Sequence, residues 1–212
     1  GVGTTPVKLF IEQLNNVADL FQARGKHVMA YADIMVKFPD IVSQLPSGLI
    51  ALAWYYDPKP DPEYKHWLEP LVAHHVPHMV LPAVHSWAEV APDFDTTFEN
   101  IDTLLAAGQK SGALGVVNTV WTDDGQVLLQ QSWPGFAYGA AAAWHSVPMQ
   151  RERFLLDYCR QMYLPAVAHD SSSALEEMNL AELHLQAAFG EQTMSKLWTD
   201  PFGQGGIDNL KK

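Results

Sequence analysis

Four short apolar runs constrain the fold of this chain more than any other feature, because each ends in aromatic and polar residues. A continuous apolar run of this length is typical of a strand buried on both faces of a parallel sheet. Such sheets carry their chemistry at the carboxyl ends of their strands. The runs, each with the residues that follow it, are His27–Ala30 with Tyr31 and Asp33, Leu49–Ala53 with Trp54 to Asp57, His78–Val84 with His85, Trp87 and Glu89, and Ala113–Val120 with Trp121, Asp123 and Asp124.

Helical patterns precede and separate these runs. Thr5 can cap the first helix, Pro6 suits its first position and Gly25 is expected to end it. A second helix is predicted over Pro62–His74, where Pro70 is expected to kink the helix or to cut it short. The apolar stripe of the first helix consists of Phe10, Leu14, Val17, Leu20 and Phe21.

A third helix lies between the third and fourth runs and has sequence signals at both ends. Asp95 or Thr96 can cap it, because Thr96 and Glu99 have the spacing of a capping box. Gly108 and Gly112 are expected to end it. Strand and helix therefore alternate along this part of the chain, which predicts an α/β fold with a parallel sheet and right-handed crossovers.

Four strand–helix units amount to half of a (β/α)₈ TIM barrel. An open parallel sheet is the alternative, but no Gly-rich phosphate loop follows any of the runs. From about Trp133 the sequence becomes helical, with predicted helices over Met149–Tyr163, Ser172–Phe189 and Gln192–Trp198 and a poorly ordered tail from Gly203. We therefore predict a partial barrel over residues 1–146 and a C-terminal helical extension over residues 147–212.

Charge and composition exclude several classes of partner. The net charge is −11 and the sequence has no run of Lys and Arg, whereas a nucleic-acid surface needs a basic patch. No stretch approaches the roughly 20 apolar residues of a membrane span. The start, Gly1–Thr4, has neither a charged region nor an apolar core, so no signal peptide is predicted. A leader removed earlier would place the protein in the periplasm or outside the cell, so the sequence assigns no compartment.

The segment from Trp121 to Gly125 is the sharpest local feature. It puts a tryptophan beside Asp123 and Asp124 at the end of a buried strand. A sugar ring requires this combination, because its flat apolar face packs on an aromatic wall and its hydroxyls need acceptors. The alternative is structural: Trp121 closes the end of the barrel, and Asp123 or Asp124 caps the following helix.

The other strand ends carry similar combinations. Strand alternation puts Trp54 and Tyr56 on one face, either at a binding surface or in the core. Asp33, near Tyr31, could accept hydrogen bonds from a ligand or cap the short turn at Ile34–Val36. His85, Trp87 and Glu89 also alternate, so Glu89 is a candidate base or hydroxyl acceptor. The alternative for Glu89 is a loop carboxylate in solvent.

Metal and nucleophile chemistry receive little support from the sequence. His75 and His78 bracket Pro77 without a carboxylate or thiol between them, so no zinc site is predicted. Cys159 lies among apolar residues in a predicted helix, and as a single cysteine it forms no intrachain disulfide. The pattern G-x-S-x-G of a nucleophile elbow is absent. No cofactor is expected.

The strand ends resemble those of family 20 glycoside hydrolases, the β-N-acetylhexosaminidases, over about residues 8–146. The run Gly25–Met35 resembles the fifth-strand motif, in which a Gly-Lys turn leads into a strand ending Trp-Asp-Glu; Tyr31 stands at the Trp position and Asp33 at the Glu position. Leu52-Ala53-Trp54 resembles the sixth strand, whose Trp forms a wall of the acetamido pocket, and Trp87-Ala88-Glu89 is similar to the Tyr-x-Asp of the seventh strand, whose Tyr holds the acetamido group. Leu114–Asp123 resembles the eighth strand, where Trp-Gly-Glu packs on the sugar and binds its outer hydroxyls. Trp133–Trp144 resembles the helix that closes the barrel.

The resemblance implies hydrolysis of terminal N-acetylhexosamine by a substrate-assisted retaining mechanism, an exception to the two-carboxylate scheme. In that family an Asp-Glu pair at the end of the fourth strand performs the chemistry, so we expect the pair upstream of this chain. The chain then holds no catalytic residue and is inactive alone. The substrate-binding residues are predicted to be Tyr31, Asp33, Trp54, Tyr56, His85, Trp87, Glu89, Asn118, Trp121 and Asp123.

The implied partners are a glycan containing N-acetylhexosamine and a polypeptide that completes the fold. A half barrel exposes two sheet edges and an apolar inner face, so we expect a missing N-terminal half-barrel, self-association or cover by the C-terminal helices. Two other functions stay open. The chain could be a non-catalytic sugar-binding or structural half-barrel module, or an unrelated α/β enzyme that uses His85 and Glu89 as an acid–base pair.

Overall fold

The computed structural model describes residues 4–123, 128–200 and 202–203. These residues divide into two compact units. The first unit comprises the described residues up to Pro82 together with 103–117, and the second comprises 83–102 and the described residues from 118 onward. The predicted poorly ordered tail, apart from Gly203, lies outside the described residues, as do Asp124 and Gly125.

Within the described residues the chain forms five β-strands and eight α-helices. The strands are β1 (Met29–Tyr31), β2 (Ile50–Trp54), β3 (His78–Leu81), β4 (Ala83–Val84) and β5 (Thr119–Val120). The helices are α1 (Pro6–Gln22), α2 (Asp33–Lys37), α3 (Asp61–Ala73), α4 (Phe94–Ser111), α5 (Trp133–Ala142), α6 (Arg151–Met162), α7 (Ala168–Phe189) and α8 (Thr193–Leu197). Two 3-10 helices cover Pro39–Gln44 and Leu129–Ser132.

The first unit contains a three-stranded parallel sheet in the order β1-β2-β3. Beyond β3, the segment 114–117 continues the parallel ladder, because Leu114 N donates to His78 O at 2.8 Å and Val117 N donates to Val80 O at 3.0 Å. The predicted α/β class and parallel pairing are thus confirmed. The half-barrel arrangement remains a prediction.

One face of this sheet is buried and most of the other face is partly exposed, with the buried Leu81 of β3 as an exception, which differs from the expectation of strands buried on both faces. Along β2, Ala51 and Ala53 are fully buried, while the residues between them are half-buried. On β1, Met29 and Tyr31 are about half exposed. The buried face packs against a core formed by Ala18, Met35, Leu49, Tyr64, Leu68, Leu71, Val80, Leu104 and Ala107.

Helix α1 begins where its sequence signals predict. Thr5 Oγ1 accepts a hydrogen bond from Lys8 N at 3.2 Å, and Pro6 occupies the first helical position, where a missing N–H does no harm. The helix ends at Gln22, and Gly25 follows in a turn with φ of +69°.

We expect Thr5→Ala to lower the stability by about 1 kcal/mol, or roughly 2–4 °C in Tm, because the Lys8 amide loses its acceptor. Thermal unfolding followed by circular dichroism measures the change. Thr4→Ala is the matched control, since it leaves the cap in place. An equal loss in both variants would contradict a capping role.

Two predictions about helix ends need correction, because α3 is not cut short at Pro70 and α4 does not end at Gly108. Helix α3 continues through Pro70 to Ala73, because its buried face, including Leu68 and Leu71, holds it. Proline leaves the carbonyl of the exposed His66 without its intrahelical donor, and water can replace that donor. Helix α4 likewise continues through Gly108, where an added Cβ would lie 2.8 Å from the side chain of Val80.

The cap of α4 is Asp93 rather than Asp95 or Thr96. Asp93 Oδ1 accepts from Thr96 N at 2.9 Å, its Oδ2 accepts from the Thr96 hydroxyl at 2.7 Å, and its carbonyl accepts from Thr97 N. The helix ends at Ser111, before Gly112 with its φ of +75°, as predicted. Its residues 94–102 belong to the second unit and 103–111 to the first.

The third and fourth runs form shorter strands than predicted. Pro82 separates the third run into β3 and β4, because proline cannot donate to a ladder. In the fourth run, only Thr119 and Val120 form a strand. This strand, β5, pairs in parallel with β4 in a second, two-stranded sheet of the second unit.

Helices dominate the rest of the second unit, as predicted from the sequence after Trp133. Helix α5 lies close to β4 at Gly135. A Cβ added to this glycine would lie 2.6 Å from the side chain of Val84, so the contact requires glycine. None of the described helices is both long and apolar enough to cross a membrane. An aromatic cluster joins α4, α5 and α6, and it consists of Phe94, Phe98, Tyr138, Phe154 and Tyr158.

Candidate functional site

In the first unit, the candidate residues lie at the carboxyl ends of two neighbouring parallel strands. Tyr31 ends β1 and Trp54 ends β2. Tyr31 is 47% exposed, and Trp54 and Tyr56 are half-buried. The rings of Trp54 and Tyr56 lie 4.9 Å apart at an interplanar angle of 37°. These two side chains therefore form one aromatic surface, as strand alternation predicts.

Tyr55 belongs to the core, on the opposite side of the strand. Its ring makes edge contacts with Tyr64 at 5.7 Å and with Trp67 at 5.3 Å. The alternation of these three aromatic residues thus separates a packing role for Tyr55 from the surface formed by Trp54 and Tyr56.

Asp33 contacts this aromatic surface rather than capping a turn. It is the first residue of α2, whose N-cap is Ala32, and no side chain caps that helix. Instead, Asp33 Oδ1 accepts a hydrogen bond from Trp54 Nε1 at 3.4 Å. This bond places the half-buried carboxylate of Asp33 beside the indole of Trp54.

In the second unit, the residues after β4 form another aromatic pair. The His85 and Trp87 rings lie 4.4 Å apart at 45°, with His85 buried and Trp87 half-buried. The backbone of His85 is fixed from both sides, because its N–H donates to Thr97 Oγ1 at 2.9 Å and its carbonyl accepts from Asp93 N at 3.0 Å.

Glu89 is buried, so the alternative of a carboxylate in solvent is wrong. Only 5% of the residue is exposed, and Oε2 accepts from Ala88 N at 2.9 Å. The pKa of Glu89 is raised from 4.5 to about 7, chiefly by burial. The nearby charges of Glu182 and Asp93 contribute to this increase in pKa, while hydrogen bonds from backbone amides oppose it. Glu89 can therefore either donate or accept a proton near neutral pH.

The residues around β5 differ in their surroundings. Asn118 Nδ2 donates to Gly135 O of α5 at 3.0 Å, while its buried Oδ1 has no hydrogen-bond partner among the described residues. Trp121 is 38% exposed, and Asp123 is exposed. Asp123 caps no described helix, since Leu128 precedes the next one. Asn118 thus contacts α5 through its amide nitrogen, whereas Trp121 and Asp123 are exposed, and the predicted ligand role of all three residues stays a prediction.

The sequence reasoning missed three buried polar residues of the C-terminal helices. Asn179, Glu182 and Thr193 all hydrogen-bond to backbone amides of the segment that follows β4. Between 85 and 103 positions separate the partners along the chain, so local patterns contain no signal for these contacts. The one signal in the sequence for these contacts is a set of polar residues at the spacing of one face of α7.

The two histidines of the His75-x-x-His78 pair lie at the start of β3 and in the turn before it. His78 is buried, with Nδ1 3.1 Å from Val76 O and Nε2 2.9 Å from Ser111 Oγ. His75 adopts a φ of +55° in the turn before β3. In the part of the chain that the structure describes, no group of three or more His, Cys, Asp or Glu residues could hold a metal ion.

A separate groove of about 330 Å³ in the first unit contains none of the candidate residues. It lies between α3 and the C-terminal part of α4, and Leu68, Val72 and Ala107 supply its apolar floor. Asp61 and Lys110 form an ion pair of 2.8 Å at its rim.

Comparison with models of protein families and with curated proteins finds no match for this chain. The resemblance to family 20 glycoside hydrolases therefore rests on the strand-end motifs alone.

Proposed function

We propose that this chain is part of a β-N-acetylhexosaminidase-like glycoside hydrolase and that its strand ends bind terminal N-acetylhexosamine. The observation that supports this best is the contact between Trp54 and Asp33. It joins an aromatic surface to a carboxylate at the carboxyl end of a parallel strand. Sugars are recognised by such surfaces, because aromatic rings cover their C–H faces while a few polar groups fix their hydroxyls.

In the first unit, we assign Trp54 and Tyr56 as the aromatic wall. Tyr31, which is exposed beside them on the neighbouring strand, extends the surface. Asp33 accepts a hydrogen bond from a sugar hydroxyl through the oxygen that does not hold Trp54. The family resemblance makes Trp54 a wall of the acetamido pocket.

The second unit has its own candidates, and we assign Trp121 as a residue that packs on a sugar ring and Asp123 as an acceptor for sugar hydroxyls. Trp87 takes the place of the family's acetamido-holding tyrosine. An indole N–H can donate to the acetamido carbonyl, as a tyrosine hydroxyl does. Glu89 follows at the position of the family's aspartate, and His85 supports the Trp87 ring.

The bond-breaking residues are proposed to lie outside these 212 residues, since the sequence contains no adjacent Asp-Glu pair. In the family, the glutamic acid protonates the leaving oxygen, and the aspartate orients the substrate's own acetamido group as the nucleophile. The residues present here would hold the sugar for that reaction. A preceding half-barrel would supply the pair, and self-association would only cover the open face.

Two alternatives have different signatures. A non-catalytic module would bind the sugar but would remain inactive in the full gene product. An acid–base enzyme that uses His85 and Glu89 is favoured by one observation, the pKa of Glu89 near 7, which suits proton transfer at neutral pH. Wild-type turnover after substitution of His85 would contradict that second alternative.

Replacing Trp121 with alanine tests the sugar site. We expect Trp121→Ala to weaken binding of N-acetylglucosamine by at least about tenfold, because aromatic packing on the ring supplies much of the affinity of such a site. Isothermal titration calorimetry measures the dissociation constant.

Trp144→Ala is the matched control for this experiment. Trp144 is 91% exposed and lies outside the candidate set, so its loss should leave the affinity unchanged. An unchanged dissociation constant in Trp121→Ala, or an equal loss in both variants, would count against the proposed site.

A further inference from the structure

The segment of residues 86–93, called here the 86–93 loop, connects β4 to α4 and carries Trp87 and Glu89. Most of this loop is buried although it has no regular secondary structure. A buried loop must find hydrogen-bond partners for its backbone, because unpaired amides are strongly destabilising. In this protein the partners come from α7 and α8, which are also part of the second unit.

Helix α8 contacts the middle of the 86–93 loop through its first two residues. Met194 N donates to Ala88 O at 2.8 Å, and Thr193 Oγ1 accepts from Val90 N at 3.0 Å. The positions flanking Glu89 on either side are therefore both bonded to α8.

Glu182 of α7 extends this contact to the next amide. Its Oε2 accepts from Ala91 N at 3.1 Å, and its Oε1 accepts from the Thr193 hydroxyl at 2.6 Å. One carboxylate thus holds two successive amides of the loop, that of Ala91 directly and that of Val90 through Thr193. Glu182 and Thr193 are both almost completely buried.

The face of α7 that carries Glu182 also holds the end of the loop. Asn179 Oδ1 accepts from Phe94 N at 2.6 Å, and Gln186 Nε2 donates to Asp93 Oδ2 at 3.3 Å. Asn179, Glu182 and Gln186 are three and four positions apart, which is the spacing of one helix face. The helix therefore presents a polar stripe to consecutive polar groups of the loop.

We propose that Glu182 and Thr193 are positioning residues that hold the 86–93 loop, and with it Trp87 and Glu89, in the conformation that binds the sugar. The sugar-binding part of this proposal rests on the proposed function. The loop-holding part stands on the hydrogen bonds alone. A buried carboxylate is unfavourable unless donors satisfy its oxygens, and here the loop and Thr193 provide those donors.

Thr193→Val tests the proposal, with Thr193→Ser as the conservative variant. Valine keeps the shape of threonine but can neither accept from Val90 nor donate to Glu182. We expect amide hydrogen exchange at Val90 and Ala91 to accelerate by about tenfold and sugar affinity to fall by a similar factor, since both amides lose support in a buried site. Serine retains the hydroxyl and should restore both values.

Glu182→Gln and Glu177→Gln form the second pair of variants. Glutamine at position 182 replaces one acceptor oxygen by a donor group, so we expect faster exchange at Val90 or Ala91. Glu177 is exposed on the same helix, and its substitution should change neither reading. Exchange at the buried Leu155 of α6 should stay slow in every variant, which shows that the second unit remains folded.

The outcomes separate this proposal from the proposed function. Unchanged exchange at Val90 and Ala91 in Thr193→Val overturns the loop-holding role. Faster exchange with unchanged N-acetylglucosamine affinity overturns the positioning role. If the wild-type protein does not bind N-acetylglucosamine, the proposed function fails, and the positioning of the sugar site fails with it. The exchange rates then still decide whether Glu182 and Thr193 hold the loop.

Discussion

Tyr138→Ala is expected to destabilise the second unit by about 3–5 kcal/mol, the largest loss among the substitutions considered. Tyr138 is 1% exposed, and its ring stacks on Phe98 at 3.9 Å and meets Phe154 edge-on at 4.9 Å. Alanine would leave a cavity at the centre of the aromatic cluster. Urea unfolding followed by fluorescence measures the free energy of unfolding.

The hydroxyl of Tyr138 contributes separately from its ring. It donates to Asp102 Oδ2 at 2.7 Å and is also hydrogen-bonded to the backbone of Met149. Tyr138→Phe keeps the ring and removes both bonds, so we expect a smaller loss of about 1–3 kcal/mol. Burial raises the pKa of Asp102, and the hydrogen bond from Tyr138 lowers it. A hydrogen bond that lowers the pKa of Asp102 stabilises the ionised carboxylate more than the neutral carboxyl, so the loss in Tyr138→Phe should be greater at pH 8 than at pH 4.

Tyr163→Ala is the control, because Tyr163 is 45% exposed just after α6. If Tyr138→Ala costs no more than Tyr163→Ala, the aromatic cluster is not a stabilising centre of the second unit.

Glu89→Gln is expected to make the protein more stable at pH 8 by about 3 kcal/mol and to have little effect near pH 4.5. The pKa of Glu89 is raised to about 7 from 4.5 in the folded protein. Between pH 4.5 and about 7, the folded wild-type protein keeps a proton on Glu89 that the unfolded chain releases. The free energy of unfolding of the wild type therefore falls as the pH rises through this range. Glutamine remains neutral, and its carbonyl oxygen can still accept from Ala88 N.

The measurement is the difference in unfolding free energy between wild type and Glu89→Gln from pH 4.5 to pH 8. Using the difference removes the contributions of other carboxylates that are common to both proteins. Glu177→Gln is the control, because Glu177 is exposed. Its difference in unfolding free energy from the wild type should hardly change with pH. A constant difference for Glu89→Gln would contradict the raised pKa.

Local sequence signals were sufficient to predict the positions of most helices and the α/β class of the fold. Thr5 and Pro6 marked the start of α1 because a cap acts on amides only three positions away. The cap of α4 was assigned wrongly because Asp93, Asp95 and Thr96 all offer a suitable oxygen. The choice of Asp93 depends on burial against distant helices, which the sequence does not display.

Strand lengths and the surroundings of the site were beyond local reasoning. The apolar runs predicted parallel strands, but Pro82 interrupted the ladder and left a two-residue strand on its far side. Gly108 could be interpreted as a helix end until its close approach to Val80 was known. Glu89 was assigned to solvent as an alternative because its neighbours Glu182 and Thr193 come from the other end of the chain.

The division of α4 between the two units has a consequence for dissecting the protein by cloning. The chain passes from one unit to the other after residues 82, 102 and 117, so neither unit is a continuous segment. No single truncation point can yield either unit intact, and a cut within 94–111 removes residues from both. To express the first unit alone, residues 83–102 must be replaced by a linker that joins Pro82 to Thr103 and the chain must stop at Val117.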